Sequence, residues 1–132
     1  MSTHCPFTGT SLLNHLKSLG FTVDDDHDWG YQLRAVNEAE YCLKFLILTN
    51  GRPGSLHHHG EFKKETFICL AGSVEVETPG ELGLPRFIVL VPGNVLHIGF
   101  CRRHRMRALR WPAVLAEVST HDDDAYTFRI GD

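Results

Sequence analysis

Residues 51–72 read GRPGSLHHHGEFKKETFICLAG, and the layout of this stretch decides the fold. Three consecutive histidines, His57, His58 and His59, precede Glu65, which opens an apolar run ending at Gly72. On an extended segment side chains alternate between faces, so His57 and His59 project together with His58 opposite. Two imidazoles on one face and a carboxylate from the next strand form a nitrogen and oxygen donor set suited to a divalent metal. A fourth ligand must come from elsewhere, and His97 in the stretch VPGNVLHIGF at 91–100 is the candidate. The competing reading is a histidine run on a flexible surface loop and a solvated glutamate ahead of a strand.

The chain has 132 residues, enough for one domain (1–132) with a single proper core. Its 42% hydrophobic and 22% charged content is that of an ordinary soluble globular protein. A formal charge of −3 argues against a general binder of nucleic acid or membrane surfaces. Nine histidines are an excess for this length and raise the expectation of a metal site without locating it. Cys5, Cys42, Cys69 and Cys101 show no CxxC pairing, and Cys42 and Cys69 lie in apolar runs where a thiol acts as a small buried hydrophobe. With no signal peptide or spanning segment visible, these features predict free thiols in a reducing cytoplasm.

Residues 1–9 read as an irregular lead-in, and Thr10–Leu19 as a short amphipathic helix with Leu12, Leu13, Leu16 and Leu19 on one face. Asp24, Asp25, Asp26 and Asp28 lack the spacing of an EF-hand loop and read as a solvated turn. Strands are then expected at Glu40–Thr49, Thr66–Leu70, Ser73–Glu77, Arg86–Val91, Val95–Phe100, Pro112–Ser119 and Ala125–Ile130. Ala71-Gly72 reads as a tight hairpin, with Val74 and Val76 inward and Glu75 and Glu77 outward. Cys101–Arg110 breaks the pattern with five arginines and His104. About eight short strands and one N-terminal helix predict an all-β antiparallel barrel or jelly roll.

Gly51, then His57-x-His59, Glu65 and Gly72 resemble the first cupin motif, and Pro92-x-Asn94-x-x-His97 resembles the second. The resemblance covers roughly residues 40–118. It implies a double-stranded β-helix barrel in which two histidines, a glutamate and a later histidine bind a divalent metal: here His57, His59, Glu65 and His97, with manganese, zinc, nickel or iron as the ion. Five residues separate His59 from Glu65 where the family has three or four, which leaves either His57 and His59 or His58 as the inward set. Trp29-Gly30, Tyr41-Cys42-x-Lys44, Ser55-x-His57-x-His59, Lys63-Lys64 and Glu117-Val118-Ser119-Thr120 are together similar to small sugar-isomerase-type cupins, a group like the cupin domain of mannose-6-phosphate isomerases and the D-lyxose isomerases. That similarity implies aldose–ketose isomerisation of a small carbohydrate or sugar phosphate, and the superfamily implies a homodimer.

The residues suit such chemistry on their own terms. A metal chelating a carbonyl and its neighbouring hydroxyl acidifies the carbon between them, and a general base must then carry a proton from one carbon to the next. Glu117, Lys44 and Lys64 are the candidates, Glu117 and Lys44 leading. An interior Glu117 would have a raised pKa; an outward one would be merely solvated. Arg102 and Arg103, in the arginine-rich segment, are candidates with Lys64 for binding a substrate anion, against the plainer reading of a solvated loop. The alternatives to an isomerase are a non-haem iron dioxygenase on the same ligands and a barrel that binds a carbohydrate or metabolite without turning it over.

Overall fold

A computed structural model describes residues 10–130; the lead-in at 1–9, with Cys5, lies outside the described residues, as do the side chains of Leu12 and Leu13. Helix α1 spans Thr10–Ser18. The strands are β1 (Thr22–His27), β2 (Gly30–Asn37), β3 (Cys42–Leu48), β4 (His57–His58), β5 (Glu65–Pro79), β6 (Pro85–Leu90), β7 (Val95–Ile98), β8 (Arg105–Ser119) and β9 (Phe128–Arg129). All pairings are antiparallel. The main sheet runs β1-β2-β3-β8-β5-β6 with β7 also on β5, and β4 pairs with β9. This is the expected all-β barrel with one short helix.

Alternation along the strands builds two apolar layers. Inward, Leu46, Leu48, Phe67, Cys69, Val74, Val76, Leu90, Ile98 and Leu115 form the main core. On the opposite face Tyr31, Leu33, Ile47 and Val114 are covered by Leu16 of α1 and by Phe21 and Val23. Val74 and Val76 are inward and buried, as the SVEVE alternation predicts, while Glu75 and Glu77 face out.

Three local expectations are corrected. Ala71-Gly72 is not a hairpin; β5 runs through it as one strand, paired with β8 along its length and with β7 then β6 on its other side. The register shifts between Cys69 and Val74, and Gly72 sits there at φ +68, where a Cβ would come within 2.5 Å of the Arg110 carbonyl oxygen. Such a bulge bends a strand, so one long strand serves two neighbours where a turn would have split it. The acidic run lies mostly in β1 and not in a turn, because its backbone pairs with β2. The arginine-rich segment is likewise largely strand: β8 begins at Arg105, and Arg105 and Arg107 bond Glu77 and Glu75 across β5.

Candidate metal centre and its cavity

Strand register stacks the inner face in rows. Asn37, Cys42, Ser119 and Glu65 form one, and Arg34, Lys44, Glu117 and Phe67 the next. Gln32, Leu46, Leu115 and Cys69 follow, and from there the interior is mainly apolar. Charged side chains therefore concentrate at one end of the barrel, around a cavity of about 710 Å³.

Three histidines converge there. The donor atoms of His57, His59 and His104 all lie within 4.8 Å of one another. His57 comes from β4, and its backbone bridges His104, just ahead of β8. His59 follows β4, and the loop to Glu65 turns at Gly60. Each ring has its Nδ1 facing a backbone carbonyl: His57 to Ser55 at 3.0 Å, His104 to Arg102 at 3.0 Å and His59 to Tyr126 at 3.3 Å. An Nδ1–H donated to a carbonyl leaves the lone pair on Nε2, the tautomer a metal ligand requires.

Glu65 completes the set. Its carboxylate oxygens lie 3.1 Å from His59 Nε2 and 3.0 Å from His104 Nε2. Yet His59 Nε2, His104 Nε2 and Glu65 Oε2 are all buried without a well-formed hydrogen bond. Orphaned buried polar atoms are costly. Lone pairs that approach to about 3 Å without sharing a proton are what ligands of one ion do, so three imidazoles and a carboxylate fit a divalent metal.

Burial and mutual attraction or repulsion set the charges within the cluster. Burial lowers the His57 pKa to about 3, assisted by repulsion from His104 and His59, which keeps that ring neutral. Burial opposes the charge of Glu65, but His104, His59 and Lys63 outweigh it and hold the carboxyl well below its usual range. Burial also works against charging His104, and Glu65 overcomes it, raising that ring.

Beside the cluster lies a buried ionic network. Lys63, 2% exposed, reaches Glu65 and Glu117 at 3.2 Å each and also bonds Asp122. Lys44 lies 3.1 Å from Asp122 and 3.6 Å from Glu117. Burial, then the charge of Glu65, raises the Glu117 pKa against the pull of the two lysines. Asp122 is held low by Lys44 and Lys63 despite its burial.

The structure brings together His57, His59, Glu65, Glu117 and Lys44 of the residues singled out from sequence, and leaves four elsewhere. His97 is a correction. It pairs with Thr66, whose side chain faces away from that of Glu65, and its exposed ring bonds the Thr66 hydroxyl at 2.8 Å. His104 takes the place expected for it. His58 also turns away, stacking on Phe128. Lys64 is exposed over Phe100, and Arg102 and Arg103 are exposed and do not line the cavity. From sequence alone His104, Lys63 and Asp122 carry no site role. Extending the alternation of β5 back past Glu65 picks Lys63 over Lys64, and extending that of β8 back from buried Ala108 past its first residue reaches His104.

No family model matches the chain, and no curated protein does. Solved structures match. Oxalate decarboxylase from Bacillus subtilis at pH 4.6 aligns with TM-score 0.67 and 19% identity over 76% of this chain and 28% of that one. A structure of the same enzyme concerned with its Mn(II) centres gives TM-score 0.71 and 19% identity over 83% of this chain and 30% of that one. KdgF from Halomonas sp. gives TM-score 0.67 and 16% identity over 79% of this chain and 91% of that one. This chain thus spans less than a third of the decarboxylase but nearly the whole of KdgF. Both are cupins, and the likeness assigns this chain the cupin fold. Within that fold it carries a site of three histidines that could bind a divalent metal.

Proposed function

We propose that the protein is a metal-dependent cupin acting on a small carbohydrate or sugar phosphate, with aldose–ketose isomerisation as its reaction. The observation that carries this reading is Glu117: a fully buried carboxylate in the cavity wall, raised in pKa, and one ammonium group away from the metal-ligand candidate Glu65. A general base works best with a pKa near the operating pH, which for a carboxylate means upward displacement.

His57, His59, Glu65 and His104 would hold the ion, which supplies Lewis acidity toward a carbonyl oxygen and its neighbouring hydroxyl. Glu117 takes the proton from the hydroxyl-bearing carbon and returns it to the adjacent carbonyl carbon, while the hydroxyl proton passes to the former carbonyl oxygen, so aldose and ketose interconvert with no net change in atoms. Lys63 and Lys44 hold Glu117 in place between them. Trp29, stacked on His27 at 4.7 Å in the cavity wall, gives an aromatic surface on which the C–H face of a sugar can pack. A homodimer belongs to this reading, supported by edge strand β6, where Phe87 and Val89 are half exposed.

The test supplies C2-deuterated aldoses and aldose phosphates to protein loaded in turn with manganese, zinc, nickel and iron. Ketose formation with the deuterium removed from C2, whether carried to C1 or exchanged with water, is expected, and Glu117→Gln should slow it by a factor of about 10² or more while leaving metal content unchanged. Ligand binding with neither turnover nor exchange under any ion would make this a binding module. Oxygen consumption confined to the iron form would make it an oxygenase.

A further inference from the structure

Two cations of the cavity wall have no part in that reaction. Arg34 and Arg129 both line the cavity. Arg34 lies in β2 opposite Lys44, which lies opposite Glu117. Arg129 lies in β9 opposite His57. One arginine therefore lies two strands over from the proposed base and the other opposite His57, both on the wall of the same cavity.

Their surroundings set them apart from the other positive groups nearby. Lys44 and Lys63 are committed to Glu65, Glu117 and Asp122. Arg105 and Arg107 are committed to Glu77 and Glu75. Among the described residues Arg34 and Arg129 have no ion pair or side-chain hydrogen bond. Of the wall's remaining carboxylates, Asp24 bonds His27, and Asp28 pairs with neither arginine. The two lysines are outnumbered by the three carboxylates they serve, and a divalent ion on Glu65 would more than offset the difference. With Asp24 and Asp28 counted, the wall holds five carboxylates against a divalent ion, two lysines and the two arginines, so it is the arginines that tip a loaded cavity positive, and they are its unspent donors. A guanidinium cannot relieve its charge by losing a proton and offers a planar fork matched to carboxylate and phosphate oxygens.

We propose that Arg34 and Arg129 receive an anionic group of the substrate, a carboxylate or a phosphate, so that the cavity selects sugar acids or sugar phosphates over neutral sugars. The inference rests on the reading of the cavity as the substrate site and does not depend on which reaction occurs there. A cavity of about 710 Å³ accommodates a hexose with a charged terminus, being within the range of small-molecule sites. The role first given to Arg102 and Arg103 passes to arginines from other parts of the chain.

The test is calorimetric titration of manganese-loaded protein with D-glucuronate, D-glucose 6-phosphate and D-glucose, in wild type and in Arg34→Gln and Arg129→Gln. At least one anion should bind more tightly than glucose, lose affinity as ionic strength rises, and bind about tenfold more weakly in each variant. The affinities for glucose and for manganese should stay unchanged. Preference between the two anions separates a carboxylate site from a phosphate site. Equal binding of charged and neutral probes, variants that bind the anions like wild type, or no measurable anion binding at millimolar concentration would each overturn the proposal. Failure of the metal reading shows separately, as wild-type protein that does not take up manganese.

Discussion

The two faces of the β5–β8 ladder carry the same kinds of side chain and put them to different uses. Inward lie Glu65 and Glu117, with His104 and Lys63 joining them just outside the strand ends. Outward lie Thr66 with its partner His97, and Glu75 with its partner Arg107; Lys64 sits exposed beside Phe100. Charges on the inner face are withdrawn from water and must satisfy one another, so each becomes part of one coupled cluster. Charges on the outer face keep their hydration and act as isolated pairs. A residue's role here follows from which side of the sheet it occupies, and a change of one position in sequence is enough to reverse it.

The two histidines make the strongest test of that contrast. His104→Ala removes one of four converging donors and should weaken manganese or zinc binding by more than about a hundredfold, the scale at which even supporting residues of metal sites begin to matter. His97→Ala removes a ring bonded to the exposed Thr66 hydroxyl and should leave affinity within about twofold. Calorimetric titration of both variants decides it. Loss of metal in His97→Ala with retention in His104→Ala would reverse the assignment of faces.

The lysines come next. Lys63→Met leaves Glu117 and Asp122 buried with only Lys44 between them, and removal of one partner from a buried ionic cluster costs about 3 kcal/mol or more. Lys64→Met takes away an exposed ammonium and should change stability by no more than about 0.5 kcal/mol. Urea midpoints at pH 7 measure both. A Lys63 variant as stable as wild type would mean that water reaches the network and screens it.

Acid should act on the inner face through His57. Its pKa is lowered from 6.5 to about 3, so the unfolded chain takes up a proton in that window while the native metal-free protein does not. The unfolded state then binds more protons, and its contribution to native stability, complete above pH 6.5, is lost as pH falls toward 3. Metal-free His57→Ala should show a shallower drop in melting temperature between pH 6.5 and 4 than metal-free wild type. Parallel curves would sink this assignment.

What the sequence made legible, and what it hid, follows the same division. The barrel was readable because alternation in SVEVE and EYCLKFLILT is a local property of strands. His57, His59 and Glu65 were readable because they sit close together in one stretch. His97 misled because its own strand was recognised but the register against β5 was not, and register alone decides that it shares a face with Thr66. His104 was hidden by its neighbours: four arginines within 102–107 look like a solvated loop, although two of them are outward members of a strand whose inward members are His104-like in parity, Met106 and Ala108. The Gly72 bulge hid in the same way, since a small-residue pair between two apolar runs has the same appearance whether the chain turns back or only bends. Arg34, Lys63 and Asp122 become site residues only once strands distant in sequence are paired.

The outer face should give the smallest effect. Arg107 lies 3.1 Å from Glu75 across β5 and β8, and the arginine is nearly half exposed. Water screens such a pair, and holding two long side chains in one geometry opposes most of the Coulomb gain. Arg107→Gln should therefore destabilise the fold by less than about 1 kcal/mol, and Glu75→Gln together with it should add little more. The same double-mutant comparison at Lys44 and Glu117, on the inner face, should give a larger coupling, because burial removes the solvent that screens the outer pair. If denaturation of the four-member cycles gave equal coupling on both faces, the cavity end of the barrel would be as wet as the surface, and the case for a dry site that raises Glu117 and orphans the imidazole nitrogens would fall with it.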